Sequence, residues 1–416
     1  MVKKHAPLPD QHQNFWQLTC IQSASYSIPG LLIGGNLAQQ YGPSAAISSI
    51  CIGNLLLWLI GLGVISIAAK QRKNAIETVR SHIGNTGAVL IAFVVLDAFL
   101  TWFMIGIRAT TQSFSPLIHS NNNSLLVTGG ILLGLLITFL SLGGIRLIRR
   151  TCVMSLPVIL FFVIYSIFRS NHVIVIETWT CSFSAILTVA ALTLPGMVNL
   201  PTFFRHSRSH ADSILALTLI TMFGILFQIS SVYSGMTEPS EILTVYNMDI
   251  GSILYIAFAS AVLVISAICL NLVNIYYASA GLTTILPSLT SSKNYFIVGL
   301  LGTAMFAFFH GESTAMQFIA DTANNLISNT GIVLIFSFII SVATKNRQRS
   351  FEKFINLFCW LVVSGVVLTL QICFPEDPHS ALIGGISGSL FAYLSILFIE
   401  KTIWSIKKIQ PEIFTG

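Results

Sequence analysis

Charge is what this sequence has least of. Of its 416 residues, 9% are Asp, Glu, Lys or Arg, against roughly 25% in an ordinary soluble domain. So few charges cannot coat a soluble surface of this length, and 54% of the residues are hydrophobic. Soluble enzymes and nucleic-acid-binding proteins are excluded on that ground, which leaves a polytopic membrane protein. Cysteine is also sparse. The seven (Cys20, Cys51, Cys152, Cys181, Cys269, Cys359, Cys373) are scattered with no CxxC or metal-type spacing, so small hydrophobes in a bundle are expected, with no metal and no cofactor. A removable signal is missing too: the first 16 residues are polar and carry Lys3, Lys4 and His5, with no short apolar core and cleavage site after them. The first helix is therefore expected to stay as an anchor.

What is present is a series of long apolar runs. A span needs about 20 mostly apolar residues. On that rule twelve are expected: 17–38, 44–69, 87–112, 124–145, 151–168, 182–203, 213–235, 251–275, 295–310, 316–343, 354–373 and 381–404. Basic residues test the count. With the N-terminus in the cytoplasm, 19 of the 21 Lys and Arg residues fall in inside segments, leaving Arg169 in an outer loop and Arg108 near the outer end of span 3. One missed span would swap the side of every later loop, so the asymmetry predicts both termini inside a cell (inner or plasma) membrane. The net charge of +6 is accounted for by orientation and gives no reason to expect a nucleic acid polymer. The outer loops are acidic (Glu177, Glu238, Glu241, Asp249, Glu312, Glu376, Asp377), and none is long enough for a soluble domain.

Two Pro-Gly pairs stand inside spans: Pro29-Gly30 in "YSIPG" and Pro195-Gly196 in "LTLPG". Each removes a backbone donor and adds flexibility, and broken backbone at membrane depth survives only beside packed protein or a polar cavity. They fall in spans 1 and 6, the first helices of two five-span halves (17–168 and 182–343), which leaves 354–404 as two extra helices between short tails, 1–16 and 405–416. Matching breaks in inverted repeats are how many secondary transporters build a site. The flanking "QSASYS" (22–27) and "TLPGMVN" (193–199) are small and polar where a lipid-facing helix would carry Leu and Ile.

At these residues the chain resembles the nucleobase–cation symporters, the cytosine, purine, hydantoin, allantoin and thiamine permeases. "GGNL" (34–37) and "IGNLLL" (52–57) are similar to their first two helices, and "TWFMIGI" (101–107) to the third. "FFRHSR" (203–208) resembles the end of the sixth, and "NIYYASAGL" (274–282) followed by "SSK" (291–293) resembles the eighth. The order holds over nearly the whole chain, and bacterial cytosine permeases are the best fit. The resemblance implies an all-α LeuT-like fold, a 5+5 inverted repeat with broken helices 1 and 6.

It also implies residue roles. Trp102 matches the helix 3 aromatic that stacks on a planar heterocycle, a contact that adds dispersion without fixing a hydrogen-bond pattern. Gly106, one turn on, is expected to leave room beside the ring. Phe99 stands where cytosine permeases carry a base-binding Gln, and Thr193 where they carry a helix 6 aromatic. Asn271 and Asn274, three apart, share a face of helix 8 and with Ser25 and Gly196 complete the expected substrate site. For coupling, the carbonyls of a sodium site map to Ser23 and Ser27. Its helix 8 ligands map to Ala267, Leu270 and Asn271, where the hydroxyls are lost; a hard cation wants oxygen, so a proton is the expected ion and Na+ the weaker choice. Asp97 and Asp321 are the intramembrane acids that could carry it, although Asp97 lies about 140° around its helix from Trp102. His206, His210 and Asp212 have a metal-like spacing but read as a solvated basic loop, and "HGES" (310–313) lacks a nucleophile elbow.

The expected function is a cation-coupled secondary transporter importing a small planar solute such as a nucleobase, working as a monomer among membrane lipids. An amino-acid carrier of the wider superfamily is the alternative. An intramembrane transferase is the remote one, because clustered acids or a His/Asp pair are missing.

Overall fold

The computed structural model describes residues 12–115, 123–169, 179–234, 250–289, 291–311, 313–343, 352–374, 383–395 and 398. The acidic residues expected in outer loops, and the charged tails 1–11 and 401–416, lie outside them. The described chain is helical: α1 Phe15–Tyr41, α2 Pro43–Gln71, α3 Ala75–Gln112, α4 Asn123–Ser141, α5 Gly144–Arg169, α6 Phe183–Asn199, α7 His210–Ser234, α8 Ile250–Ile285, α9 Ser291–Phe309, α10 Ser313–Ala343, α11 Glu352–Cys373 and α12 Ile383–Ser395. A single turn, Pro201–Phe204, follows α6.

These helices follow the twelve expected spans. Among the described residues nine are long and apolar enough to cross a membrane. α1 is not one of the nine, because Gln22, Ser23, Ser25, Ser27 and the Pro-Gly pair dilute its apolar run. The molecule is turned inside out relative to a soluble protein. Leu55, Leu59, Leu132, Leu136, Phe139 and Phe161 are exposed, while Gln22, Asn54, Gln228, Asn271 and Asn274 are buried. Lipid takes the apolar side chains, and the polar ones find partners within the bundle.

Local signals set the ends. Asn14 caps α1 through a reciprocal box in which its side chain accepts from Gln17 N–H and Gln17 Oε1 accepts from Asn14 N–H. Asn74 and Glu77 repeat the device at α3. Inside α3, Gly84 takes φ +92°, a left-handed conformation that glycine adopts without Cβ strain. It kinks the helix, so Ala75–Ile83 forms a separate first segment.

Packing partners are exchanged by a shift of five helices. α1 lies on α7 and α6 on α2; α1 on α5 and α6 on α10; α3 on α10 and α8 on α5. Helices α3 and α8, α2 and α7, and α4 and α9 each pack on their own counterpart. That is the pattern two inverted five-helix repeats produce. α11 closes against α3 and α10. Among the described glycines, Gly34 of α1 comes closest to the backbone of another helix, and any Cβ there would collide with the Gln228 carbonyl of α7, the small-residue contact that membrane helices use to pack.

The Pro-Gly pairs correct one expectation. α1 continues as helix through Pro29, and α6 continues through Pro195 as far as Asn199, the interruption coming only at Leu200. A proline removes one i→i−4 bond, which frees the carbonyls of Ser25 and Ala191; that loss is small enough for the turns on either side to hold. At α6 the Asn199 side chain helps by donating to the Pro195 carbonyl at 2.9 Å. The pairs therefore mark weakened helix at the centre of the bundle, not unwound chain.

Candidate functional site

Helices α1, α2, α3, α6, α7, α8 and α10 converge on a central cavity of about 120 Å³. One water needs roughly 10–15 Å³ of such space, so the cavity is sized for a small organic molecule. Of the residues expected from sequence, Ser25, Pro29, Phe99, Trp102, Thr193, Pro195, Gly196, Leu270 and Asn274 line it. Gln22, Tyr26, Asn54, Thr221, Tyr277 and Asn324 line it as well and were not anticipated. No Asp, Glu, Lys, Arg or His stands among the described lining residues.

One wall is aromatic. Phe99 of α3 stacks on Tyr277 of α8 with ring centroids 4.6 Å apart and planes 18° from parallel. Trp102 follows one turn later on α3, and its indole Nε1–H donates to Asn324 Oδ1 on α10 at 3.1 Å. That bond ties the wall to α10 and leaves the indole its face for contact.

A buried chain of amides and hydroxyls also reaches the cavity. Asn54 Nδ2 donates to Gln228 Oε1 at 2.6 Å, and Gln228 Nε2 donates to the Tyr26 hydroxyl at 2.7 Å. The Tyr26 hydroxyl in turn lies 3.1 Å from Thr193 Oγ1. One network thus joins α2, α7, α1 and α6. A second link crosses from α8 to α1, where the Tyr277 hydroxyl donates to Gln22 Oε1 at 3.1 Å. The NH2 end of Gln22 is buried with no partner among the described residues. These partners lie far apart in sequence, so periodicity within one helix carried no signal for them. Each residue was nonetheless visible as a polar side chain inside an apolar run.

Several expected residues stand outside the cavity. Asn271 lies one layer back: its Oδ1 accepts from Asn274 Nδ2 at 3.1 Å, and it packs against Gly106. Gly106 therefore makes room for α8, not for space beside the Trp102 ring. Gly30 faces Phe227 and the Tyr26 ring. Ser27 donates back to the Ala24 carbonyl at 2.8 Å, and Ser23 Oγ is buried without a partner among the described residues. Ala267 and Leu270 sit in an apolar cluster with Ile28, Ala109 and Leu263, and of the two only Leu270 also reaches the cavity. Asp97 and Asp321 do not line the cavity.

The loop after α6 also departs from expectation. His206 is 4% exposed, because the chain folds back onto the N-terminal segment and excludes water. Gln13 N–H donates to the His206 carbonyl at 2.8 Å, Arg208 N–H to the Gln13 carbonyl at 3.0 Å, and Phe15 N–H to Asp212 Oδ1 at 3.2 Å. Arg205 Nε–H donates to His206 Nε2 at 3.2 Å, and the Tyr276 hydroxyl lies 3.0 Å from the same nitrogen. Since Arg only donates, His206 Nε2 is an acceptor and the ring is neutral. Burial first, then the charges of Arg205 and His12, push its pKa down to about 3. Of the three residues with metal-like spacing, Asp212 is occupied with Phe15 and Ser209, and no group of three His, Cys, Asp or Glu converges among the described residues.

No model of a known protein family matches the chain, and no curated protein matches it. Solved structures do. Mhp1, a nucleobase-cation-symport-1 family transporter in a closed conformation with bromovinylhydantoin bound, superposes with TM-score 0.68 at 15% identity, covering 94% of each chain. A Na+-coupled sialic acid symporter in a substrate-bound outward-open state gives TM-score 0.69 at 14% identity, over 92% of this chain and 89% of its own. A manganese transporter from Eremococcus coleocola gives 0.61 at 13%, over 95% of each. The first of these belongs to the family that the sequence motifs resemble. At such identities the likeness is one of fold. The chain is a multi-pass membrane protein with the LeuT-like fold.

Proposed function

We propose that this protein is a secondary transporter that carries a small, neutral, planar solute, of which a nucleobase-like heterocycle is the best example, through the central cavity by alternating access. The observation that carries this reading is the lining itself: aromatic rings together with amides and hydroxyls, and no ionised side chain among the described lining residues. Burying an unpaired charge in such a site is costly. A flat neutral ring instead gains stacking against Trp102 or Phe99 and a hydrogen bond from the Gln22 NH2 group, a buried donor that is otherwise stranded. The LeuT-like fold, shared with a nucleobase-cation-symport-1 transporter, a sialic acid symporter and a manganese transporter, supports transport as the activity.

The same lining weighs against an amino-acid substrate. A carboxylate is held in such folds by free N–H groups of an unwound helix or by a cation, and α1 keeps its helix through Pro29. For coupling we favour a proton over Na+, on the apolar packing of Ala267 and Leu270. The charge asymmetry of the loops supports both termini in the cytoplasm.

The test is a thermal-shift screen of the purified protein with cytosine, adenine, hypoxanthine, hydantoin and a set of amino acids, followed by uptake of the labelled hits into proteoliposomes. Heterocycles are expected to raise the melting temperature and to enter faster under an inward pH gradient. Saturable amino-acid uptake without competition by any heterocycle overturns the substrate class; strict sodium dependence overturns the coupling.

A further inference from the structure

An indole ring on a helix has two torsions, and the second is broad, so packing on one side does not by itself fix the plane of the ring. Trp102 carries one polar atom, Nε1, and a donor only. That atom is given to Asn324 Oδ1 at 3.1 Å. Asn324 is 4% exposed and lines the same cavity from α10. The bond therefore sets the face that Trp102 offers to a ligand, and the helix that sets it is not the one that carries the ring. α10 is itself tied down on its other side. Asn325, the next residue, donates to Gln371 Oε1 on α11 at 3.5 Å, and Trp360 Nε1–H of α11 donates to the Leu326 carbonyl at 3.4 Å. Successive residues of α10 thus reach α3 in one direction and α11 in the other.

We propose that Asn324 is the positioning residue of the cavity: it holds the Trp102 indole at the angle that accepts a flat solute and makes the stacking surface depend on where α10 lies. This rests on the reading of the cavity as a site for neutral planar solutes and adds which residue prepares its aromatic wall. Asn324 acts through Trp102, so its effect on binding belongs to the indole N–H and must vanish when that N–H is absent.

The test compares Asn324→Leu, Asn324→Ala and Asn324→Asp in two backgrounds, wild type and Trp102→Phe, on the full-length protein in detergent. Near-ultraviolet circular dichroism without ligand reads the fixing of the indole directly. Asn324→Leu and Asn324→Ala are expected to weaken the tryptophan band, Asn324→Asp, which keeps an oxygen acceptor, to retain it, and none to change the spectrum in the Trp102→Phe background. Equilibrium binding of cytosine, hypoxanthine and hydantoin is the second readout. Asn324→Leu and Asn324→Ala should weaken wild-type binding by about three- to tenfold, the effect of one neutral hydrogen bond, and should change binding by less than about twofold in the Trp102→Phe background. An unchanged tryptophan band in both acceptor-free variants overturns the proposal. So does a loss of binding of equal size in the two backgrounds, which would place Asn324 on the ligand itself or in the general packing. No binding of any of the three probes by wild-type protein overturns the site reading, while the spectra still decide whether Asn324 fixes the ring.

Discussion

Replacing Tyr26 by Phe tests whether the buried chain Asn54–Gln228–Tyr26–Thr193 holds the core helices together. The ring keeps its volume, so packing against Gly30 and Gly224 is preserved, and only the hydroxyl goes. Two hydrogen bonds vanish, from Gln228 Nε2 at 2.7 Å and with Thr193 Oγ1 at 3.1 Å. At a net ~0.5–1.5 kcal/mol each, the loss is about 1–3 kcal/mol, and stranding the Gln228 donor pushes toward the upper end. The lower end has its own reason: hydrogen bonds between membrane helices average about 0.6 kcal/mol, since the unfolded chain in a membrane also finds partners. The assay is reversible denaturation in detergent followed by tryptophan fluorescence, for Tyr26→Phe, Gln228→Met and the double variant. If the chain acts as a unit, the double variant costs about 1 kcal/mol less than the sum of the singles, because each single change already breaks the same bond. Additive costs, or a Tyr26→Phe protein as stable as the wild type, would refute the reasoning.

Other predictions follow from single contacts. Trp102→Ala should abolish ligand binding in a thermal-shift or equilibrium assay, while Trp102→Phe, which retains a face to stack on, should keep part of it; normal binding by the alanine variant contradicts the stacking role. Gly34→Leu should fail to assemble or should melt far below the wild type, because its side chain would be driven into the Gln228 backbone of α7, whereas Gly63→Leu, at an open position, should melt near the wild type. His206 is buried neutral with its pKa pushed down from 6.5 to about 3. Below pH 6.5 the unfolded chain therefore binds a proton that the folded chain refuses, and stability falls by up to roughly 1.4 kcal/mol per pH unit from there toward pH 3. Melting curves between pH 7.5 and 4.5 should show that slope in the wild type and a shallower one in His206→Asn.

How much of this was legible in the chain depends on the distance over which each signal acts. The spans were readable because a run of apolar residues is a local property, and α6 ends within a few residues of its expected limit. Two of the displaced ends have clear physical reasons. α3 begins at Ala75 instead of 87, because the Asn74–Glu77 box starts a helix in a segment too polar to read as membrane. α8 runs on from its expected end at 275 to Ile285, through the mixed segment "YYASAGLTTI", since contact with α3 rewards helix where hydropathy alone does not decide. Motif resemblance and the Pro-Gly pairs point to nine lining residues, but only one helix at a time, without the contacts between helices. That reading could not say that Trp102 spends its N–H on α10, or that Gly106 serves α8. The amide network was the least readable part, because Asn54, Tyr26 and Gln228 become one structure only when the shift of five helices brings α1 onto α7 and α2 onto α6. The Pro-Gly pairs show the same division between local and global. Locally a proline costs one hydrogen bond, and the sequence alone suggested a full break. In the bundle, neighbouring turns and the Asn199 side chain hold the helix, so the freed carbonyls of Ser25 and Ala191 lie in intact helix. A ligand in the cavity would then be read by side chains such as Gln22 and Trp102 more than by exposed backbone, and what the site selects is decided by how those side chains are held.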